Sequence, residues 1–129
     1  MVKILVVEDN EMNMRLFSDL LKTKGYEIFE CMHGTKALGL IKKIHPDLVI
    51  MDIQMPEISG IDITKKIRAT PDTAKTIILA ISAFAMKSDE ERILKAGVDG
   101  YIPKPISIPL FFDTVTTLLN KKDPHETNT

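Results

Sequence analysis

The 129-residue chain has room for one domain, with 44% hydrophobic and 27% charged residues. A chain of this length buries roughly two-thirds of its unfolded surface, enough to fold without disulfides or structural zinc. The net charge of −1 leaves no excess of basic residues for nucleic acid or an anionic membrane, and the single cysteine, Cys31, excludes an internal disulfide and any CxxC metal site.

The chain runs from Met1-Val2-Lys3 directly into an apolar strand, Ile4-Leu5-Val6-Val7. It shows no signal-peptide pattern, and no apolar run approaches the ~18 residues of a membrane span, so a cytoplasmic location is expected. An amphipathic helix follows from about Glu11 to Lys24, capped by Asn10 and left through Gly25, with Leu16, Phe17, Leu20 and Leu21 expected to face a sheet. Glu27-Ile28-Phe29-Glu30 alternates with charge, as an edge strand does, and Cys31 after it is expected to be a small packed residue. A second helix, about Thr35 to Ile44, carries Leu38, Ile41 and Ile44 and stops before Pro46. Leu48-Val49-Ile50-Met51 is the third strand, and a short helix from about Ile61 to Arg68 ends ahead of Pro71. Ile77-Ile78-Leu79-Ala80-Ile81 is the fourth strand. The next helix opens on Ser88-Asp89-Glu90-Glu91, which reads as a capping box, and exits at Gly97. Gly100-Tyr101-Ile102 is a short edge strand. The last helix, about Ile108 to Asn120, tolerates Pro109 in its first turn and turns Phe111, Val115, Leu118 and Leu119 inward.

Unbroken apolar strands imply burial on both faces, the habit of a parallel sheet covered by helices. Strand and helix alternate five times, so the expected fold class is α/β: a flavodoxin-like, doubly wound, five-stranded parallel sheet with five helices. The order 2-1-3-4-5 puts the two polar strands at the edges. One domain is expected over residues 1–121, with a flexible C-terminal tail over 122–129.

In an open α/β sheet, ligands bind beyond the carboxyl ends of the strands, where the strand order reverses. Here those ends carry Glu8-Asp9, Asp52, Ser82-Ala83 and Lys104-Pro105. Each carboxylate pair at ~4 Å repels by about 1 kcal/mol in water and about 4 kcal/mol at an effective dielectric near 20. Such a cluster either raises its pKa values or binds a cation, and a few carboxylates with room for phosphate oxygens suit Mg²⁺. Lys104 and the Ser82 hydroxyl add a cation and a donor for an incoming anion. Together they describe a site for in-line phosphoryl transfer onto Asp52.

Glu8-Asp9, Asp52 with Pro56 and Gly60, Ser82-Ala83 and Lys104-Pro105 resemble the receiver domains of two-component response regulators, over about residues 2–121. Within that family, Val7-Glu8-Asp9-Asn10-Glu11, the segment from Met51 to Gly60 and Ala83-Phe84-Ala85-Met86-Lys87 are most similar to stand-alone regulators of bacterial cell division and polarity. The resemblance implies a CheY-like fold with Asp52 as phosphoacceptor. It implies Mg²⁺ held directly by Asp9 and Asp52, by Glu8 through water, and by the Gln54 backbone carbonyl. Ser82 and Lys104 would meet phosphoryl oxygens, Tyr101 would swing inward as a switch, and Lys104-Pro105 would be a cis peptide. The phosphoryl donor would be a partner histidine kinase or histidine phosphotransfer protein, since His33, His45 and His125 sit in no helical phosphotransfer pattern. Output through protein contacts is expected on the face of the fourth helix, fifth strand and fifth helix, with no nucleic acid and no membrane insertion. The domain would be no enzyme beyond its own phosphorylation and dephosphorylation. Phe84, two residues after Ser82, is expected to slow hydrolysis of the acyl phosphate.

Three other readings fit less well. A haloacid-dehalogenase-type phosphatase shares the Asp nucleophile, Mg²⁺ and Lys, but it needs a second acid where Gln54 stands, and a cap domain. A phosphorylation-independent interaction module would not need the acid, hydroxyl and lysine set. Flavin binding is disfavoured by the acidic loop Glu8-Asp9-Asn10-Glu11, where a phosphate-binding loop would offer N–H groups and hydroxyls.

Overall fold

The computed structural model describes residues 1–83 and 86–122. Five strands, β1 (Lys3–Val7), β2 (Glu27–Cys31), β3 (Leu48–Asp52), β4 (Ile78–Ser82) and β5 (Gly100–Pro103), form one sheet in the order β2-β1-β3-β4-β5. Every pairing is parallel. The helices are α1 (Glu11–Lys22), α2 (Ala37–Ile44), α3 (Gly60–Ala69), α4 (Lys87–Ala96) and α5 (Ile108–Lys122), with a 3₁₀ turn over Gly34–Lys36 leading into α2. The flavodoxin-like order expected from the sequence is the observed one.

Alternation along the strands divides the apolar core into two layers, because successive side chains leave opposite faces of a strand. Ile4, Val6, Leu48, Ile50, Leu79 and Ile81 pack on one face against Met14, Phe17 and Leu21 of α1 and Phe111, Val115 and Leu118 of α5. Leu5, Val7, Val49, Met51 and Ala80 pack on the other against α2, α3 and α4, through Ala37, Ile41, Ile63, Ile67 and Ile93. Phe17 and Phe111 stack with ring centroids 5.7 Å apart, joining α1 to α5 across the first layer.

Asn10 caps α1 by accepting the Asn13 N–H at 2.9 Å. Gly25 and Gly97 take the positive φ their turns require, +83° and +117°. Two sequence expectations need correction. Leu16 is 40% exposed, and the buried stripe of α1 is Met14, Phe17, Ser18 and Leu21. Ser18 can be buried because its hydroxyl donates to Glu30 Oε2 at 2.8 Å. Nor does α4 open on a capping box: Met86 is the cap and makes no side-chain capping bond, so Ser88 already lies inside the first turn. The Met86 carbonyl accepts the N–H groups of Asp89 and Glu90.

Cys31 is buried, as expected, and its thiol donates to the His33 carbonyl. No helix among the described residues is long and apolar enough to cross a membrane. Phe84 and the tail beyond Lys122 lie outside the described residues.

Candidate functional site

The parallel register delivers the polar strand ends to one place. Glu8 continues β1 by one residue, its N–H donating to the Cys31 carbonyl at 3.0 Å. Asp52 closes β3, beside Ile81 of β4. Ser82 closes β4 opposite Pro103, and the Lys104 N–H extends that ladder by donating to the Ser82 carbonyl at 2.8 Å. The Lys104-Pro105 peptide is cis, matching the expectation.

Glu8, Asp9 and Asp52 each offer one carboxylate oxygen, and these oxygens lie within 4.8 Å of one another. Asp9 is exposed, whereas Glu8 and Asp52 are 1% and 4% exposed. The charges between them are unevenly compensated. Lys104 Nζ lies 3.1 Å from Asp52 Oδ2 and 3.9 Å from Glu8 Oε1. Asp52 Oδ1 also accepts the Gln54 N–H at 2.9 Å, so both of its oxygens are occupied. Glu8 Oε2 accepts the Asn10 N–H at 3.2 Å, but Oε1 is buried without a hydrogen bond. Burial first, and the Asp52 charge second, push the Glu8 carboxyl from 4.5 up to about 7. A buried charge without a full set of partners is costly. An orphaned carboxylate oxygen beside two further carboxylates suits a hard divalent cation, which takes oxygen ligands.

Of the remaining expected residues, Ser82 is fully buried. Tyr101 stands in β5 opposite Ala80, two residues back from the level of Ser82 and Pro103, and packs partly buried against the core layer under α2 to α4. Burial raises its hydroxyl above the ordinary value, and the carboxylates of Glu90 and Asp89 add to the effect.

At two residues already singled out in the sequence, the contacts they make were missed. Gly60 starts α3 so close beneath the site that an added Cβ would lie 2.8 Å from the Asp52 carbonyl oxygen and from Ile53 Cα. Its position eight residues after Asp52 carries no local signal of that approach. The Gln54 side chain spans to the loop after β4, accepting the Ala83 N–H at 2.8 Å. Only the tertiary structure brings these two residues together.

The sheet order and the acids, hydroxyl and lysine at its carboxyl edge define a receiver domain. The chain belongs to the response regulator receiver domain family, whose model matches residues 4–116. It is 47% identical over 116 residues to the polar-differentiation response regulator DivK of Brucella ovis, covering 90% of this chain and 94% of that protein. Among solved structures it is similar to a Francisella response regulator receiver domain, with a TM-score of 0.88, 26% identity and coverage of 95% of this chain and 99% of that one. It is also similar to the receiver domain of a Pseudomonas aeruginosa sensor histidine kinase with a magnesium ion coordinated in its active-site cleft. There the TM-score is 0.85 and the identity 28%, over 92% of this chain and 98% of that one.

Proposed function

We propose that Asp52 accepts a phosphoryl group from a histidine kinase or histidine phosphotransfer protein, and that the modified domain then changes its protein partners. The observation that carries this reading is the Lys104 ammonium 3.1 Å from one oxygen of a nearly buried aspartate that sits in a three-carboxylate cluster. An Asp52 oxygen forms the new bond to phosphorus while the bond from phosphorus to the donor imidazole nitrogen breaks and leaves its electron pair on that nitrogen. Asp9, Asp52 and the Gln54 backbone carbonyl would hold Mg²⁺ directly and Glu8 through water, and the ion would offset charge on the transferring oxygens. The magnesium ion in the Pseudomonas relative supports that choice of cation.

Lys104 holds the acceptor carboxylate before transfer and pairs with a phosphoryl oxygen after it. The Ser82 hydroxyl donates to another oxygen, and Tyr101 follows the loop inward, altering the face of α4, β5 and α5. A phosphoryl group carries ~1.5–2 negative charges and several strong acceptors, enough to bias an equilibrium of a few kcal/mol between two loop arrangements. The product is a signalling state held on the protein, not a released metabolite. The similarity to DivK, a polar-differentiation response regulator, supports a role in the control of polarity; a role in division, exercised in the cytoplasm, is proposed with it.

Intact-mass spectrometry after incubation with acetyl phosphate and Mg²⁺ tests the reading. A single Mg²⁺-dependent phosphoryl adduct is expected on the wild type and none on Asp52→Asn. If the wild type stays unmodified by both acetyl phosphate and a phosphorylated histidine donor, the reading fails. Turnover of a generic phosphate ester would point instead to a phosphatase.

A further inference from the structure

Gln54 connects the Asp52 carboxylate to the loop that leaves β4. Its backbone N–H donates to Asp52 Oδ1 at 2.9 Å, and its side-chain Oε1 accepts the Ala83 N–H at 2.8 Å. One residue therefore touches the acid with its main chain and the loop with its side chain. Ala83 follows the last residue of β4, and the register sets Asp52 beside Ile81, so this N–H lies at the strand end next to the carboxylate cluster. A phosphoryl group on Asp52 brings several strong acceptor oxygens into this space, and the Lys104 ammonium and Ser82 hydroxyl leave room for a further donor.

We infer that Gln54 is a positioning residue that latches the loop after β4: its amide oxygen holds the Ala83 N–H in the unphosphorylated domain and yields it to a phosphoryl oxygen in the phosphorylated one. The inference rests on the phosphoacceptor reading of Asp52. The exchange runs forward because a charged phosphoryl oxygen is a stronger acceptor than a neutral amide oxygen, by roughly a factor of two in bond strength. It is also coupled to the acid. Forming the acyl phosphate removes the charge shared by the two Asp52 oxygens, so the bond from the Gln54 N–H weakens at the moment its side chain meets a competitor. Because the latch favours the unphosphorylated loop, it opposes phosphorylation by the worth of one exposed neutral hydrogen bond, roughly two- to ten-fold in the equilibrium.

The test compares wild type with Gln54→Met, which keeps the length of the side chain but lacks the acceptor, and with Gln54→Glu, which keeps an acceptor oxygen and adds charge. Gln54 is exposed, so both variants should fold as the wild type does. Two readouts are taken: the hydrogen-exchange rate of the Ala83 amide by NMR in the unphosphorylated protein, and the affinity for beryllofluoride with Mg²⁺, a non-covalent stand-in for the phosphoryl group. In Gln54→Met the Ala83 amide should exchange several-fold faster, and beryllofluoride should bind roughly two- to ten-fold more tightly. In Gln54→Glu the amide should regain its protection while beryllofluoride binds more weakly. An Ala83 exchange rate unchanged in Gln54→Met overturns the latch, as does an unchanged or weakened beryllofluoride affinity when the wild type binds. If the wild type itself neither binds beryllofluoride nor takes a phosphoryl group, the phosphoacceptor reading falls, and the latch's role in switching falls with it.

Discussion

Removing the Glu8 charge should stabilise the metal-free domain at neutral pH, although it removes one of the site's acids. Glu8 is almost fully buried, its Oε1 has no hydrogen bond, and its carboxyl is raised from 4.5 to about 7. For an acid raised on folding, the unfolded chain ionises first. The contribution of Glu8 is therefore fully present below pH 4.5 and is lost as the pH rises through about 7. A shift of that size, at about 1.36 kcal/mol per unit, corresponds to a loss on the order of 3 kcal/mol between those limits. In a domain of this length that is a drop of about 10 °C in Tm. Urea unfolding in EDTA at pH 5 and pH 7.5, on wild type and Glu8→Gln, measures it. The difference between the two proteins isolates Glu8 from the other titrating groups. Glu8→Gln should be more stable than wild type at pH 7.5 by about 2–3 kcal/mol and close to it at pH 5. Parallel profiles for the two proteins would refute the reasoning. Mg²⁺ should narrow the gap at pH 7.5, since a cation at 100 times its Kd adds about 2.7 kcal/mol to the wild type and less to a variant lacking a carboxylate.

Gly60→Ala should cost about 1–3 kcal/mol in urea unfolding, because the new methyl meets the Asp52 carbonyl oxygen and Ile53 Cα at 2.8 Å, and both are backbone atoms. Arg68→Ala should cost about 2–3 kcal/mol, since that guanidinium donates to the carbonyls of Gly97, Ala74 and Thr76 and to Asp99 Oδ2. Arg68→Lys should restore only part of it, because an ammonium cannot reproduce the planar fork. Lys104→Met should slow phosphoryl uptake from acetyl phosphate by at least ten-fold while leaving Asp52 modifiable, as read by the time course of the intact-mass adduct.

The strands were legible because burial on both faces leaves no polar position, and Ile4 to Val7, Leu48 to Met51 and Ile78 to Ile81 show it directly. The edges were legible for the opposite reason, with Glu27 and Glu30 exposed on β2. Helix faces were read less well. Hydrophobicity alone put Leu16 inward, yet the rotation of α1 gives that place to Met14 and Ser18, and the serine is acceptable there only because Glu30 on the neighbouring strand receives its hydroxyl. The opening of α4 was misplaced because Ser88 and the acids after it suit the inside of a first turn as well as a cap. The helix dipole favours Asp89 and Glu90 in either position.

The site shows the same division. Strand order and residue type bring Glu8, Asp9, Asp52, Ser82 and Lys104 to one edge, and both can be read along the chain. What governs the chemistry there is the distribution of partners among those residues, which depends on fractions of an ångström. Lys104 stands nearer Asp52 than Glu8, by 3.1 against 3.9 Å, so a single cation serves Asp52 more fully and leaves Glu8 Oε1 without a hydrogen bond. Gln54 deepens the asymmetry by giving its N–H to Asp52 as well. The acid proposed to react is thus held in place by two donors, while Glu8 keeps an open oxygen facing the same space. A second lysine at the site would have compensated Glu8 and removed the reason for a divalent cation to bind. With one lysine at the cluster among the described residues, the site stays short of positive charge, so the proposed cation binding and the raised carboxyl of Glu8 have the same origin.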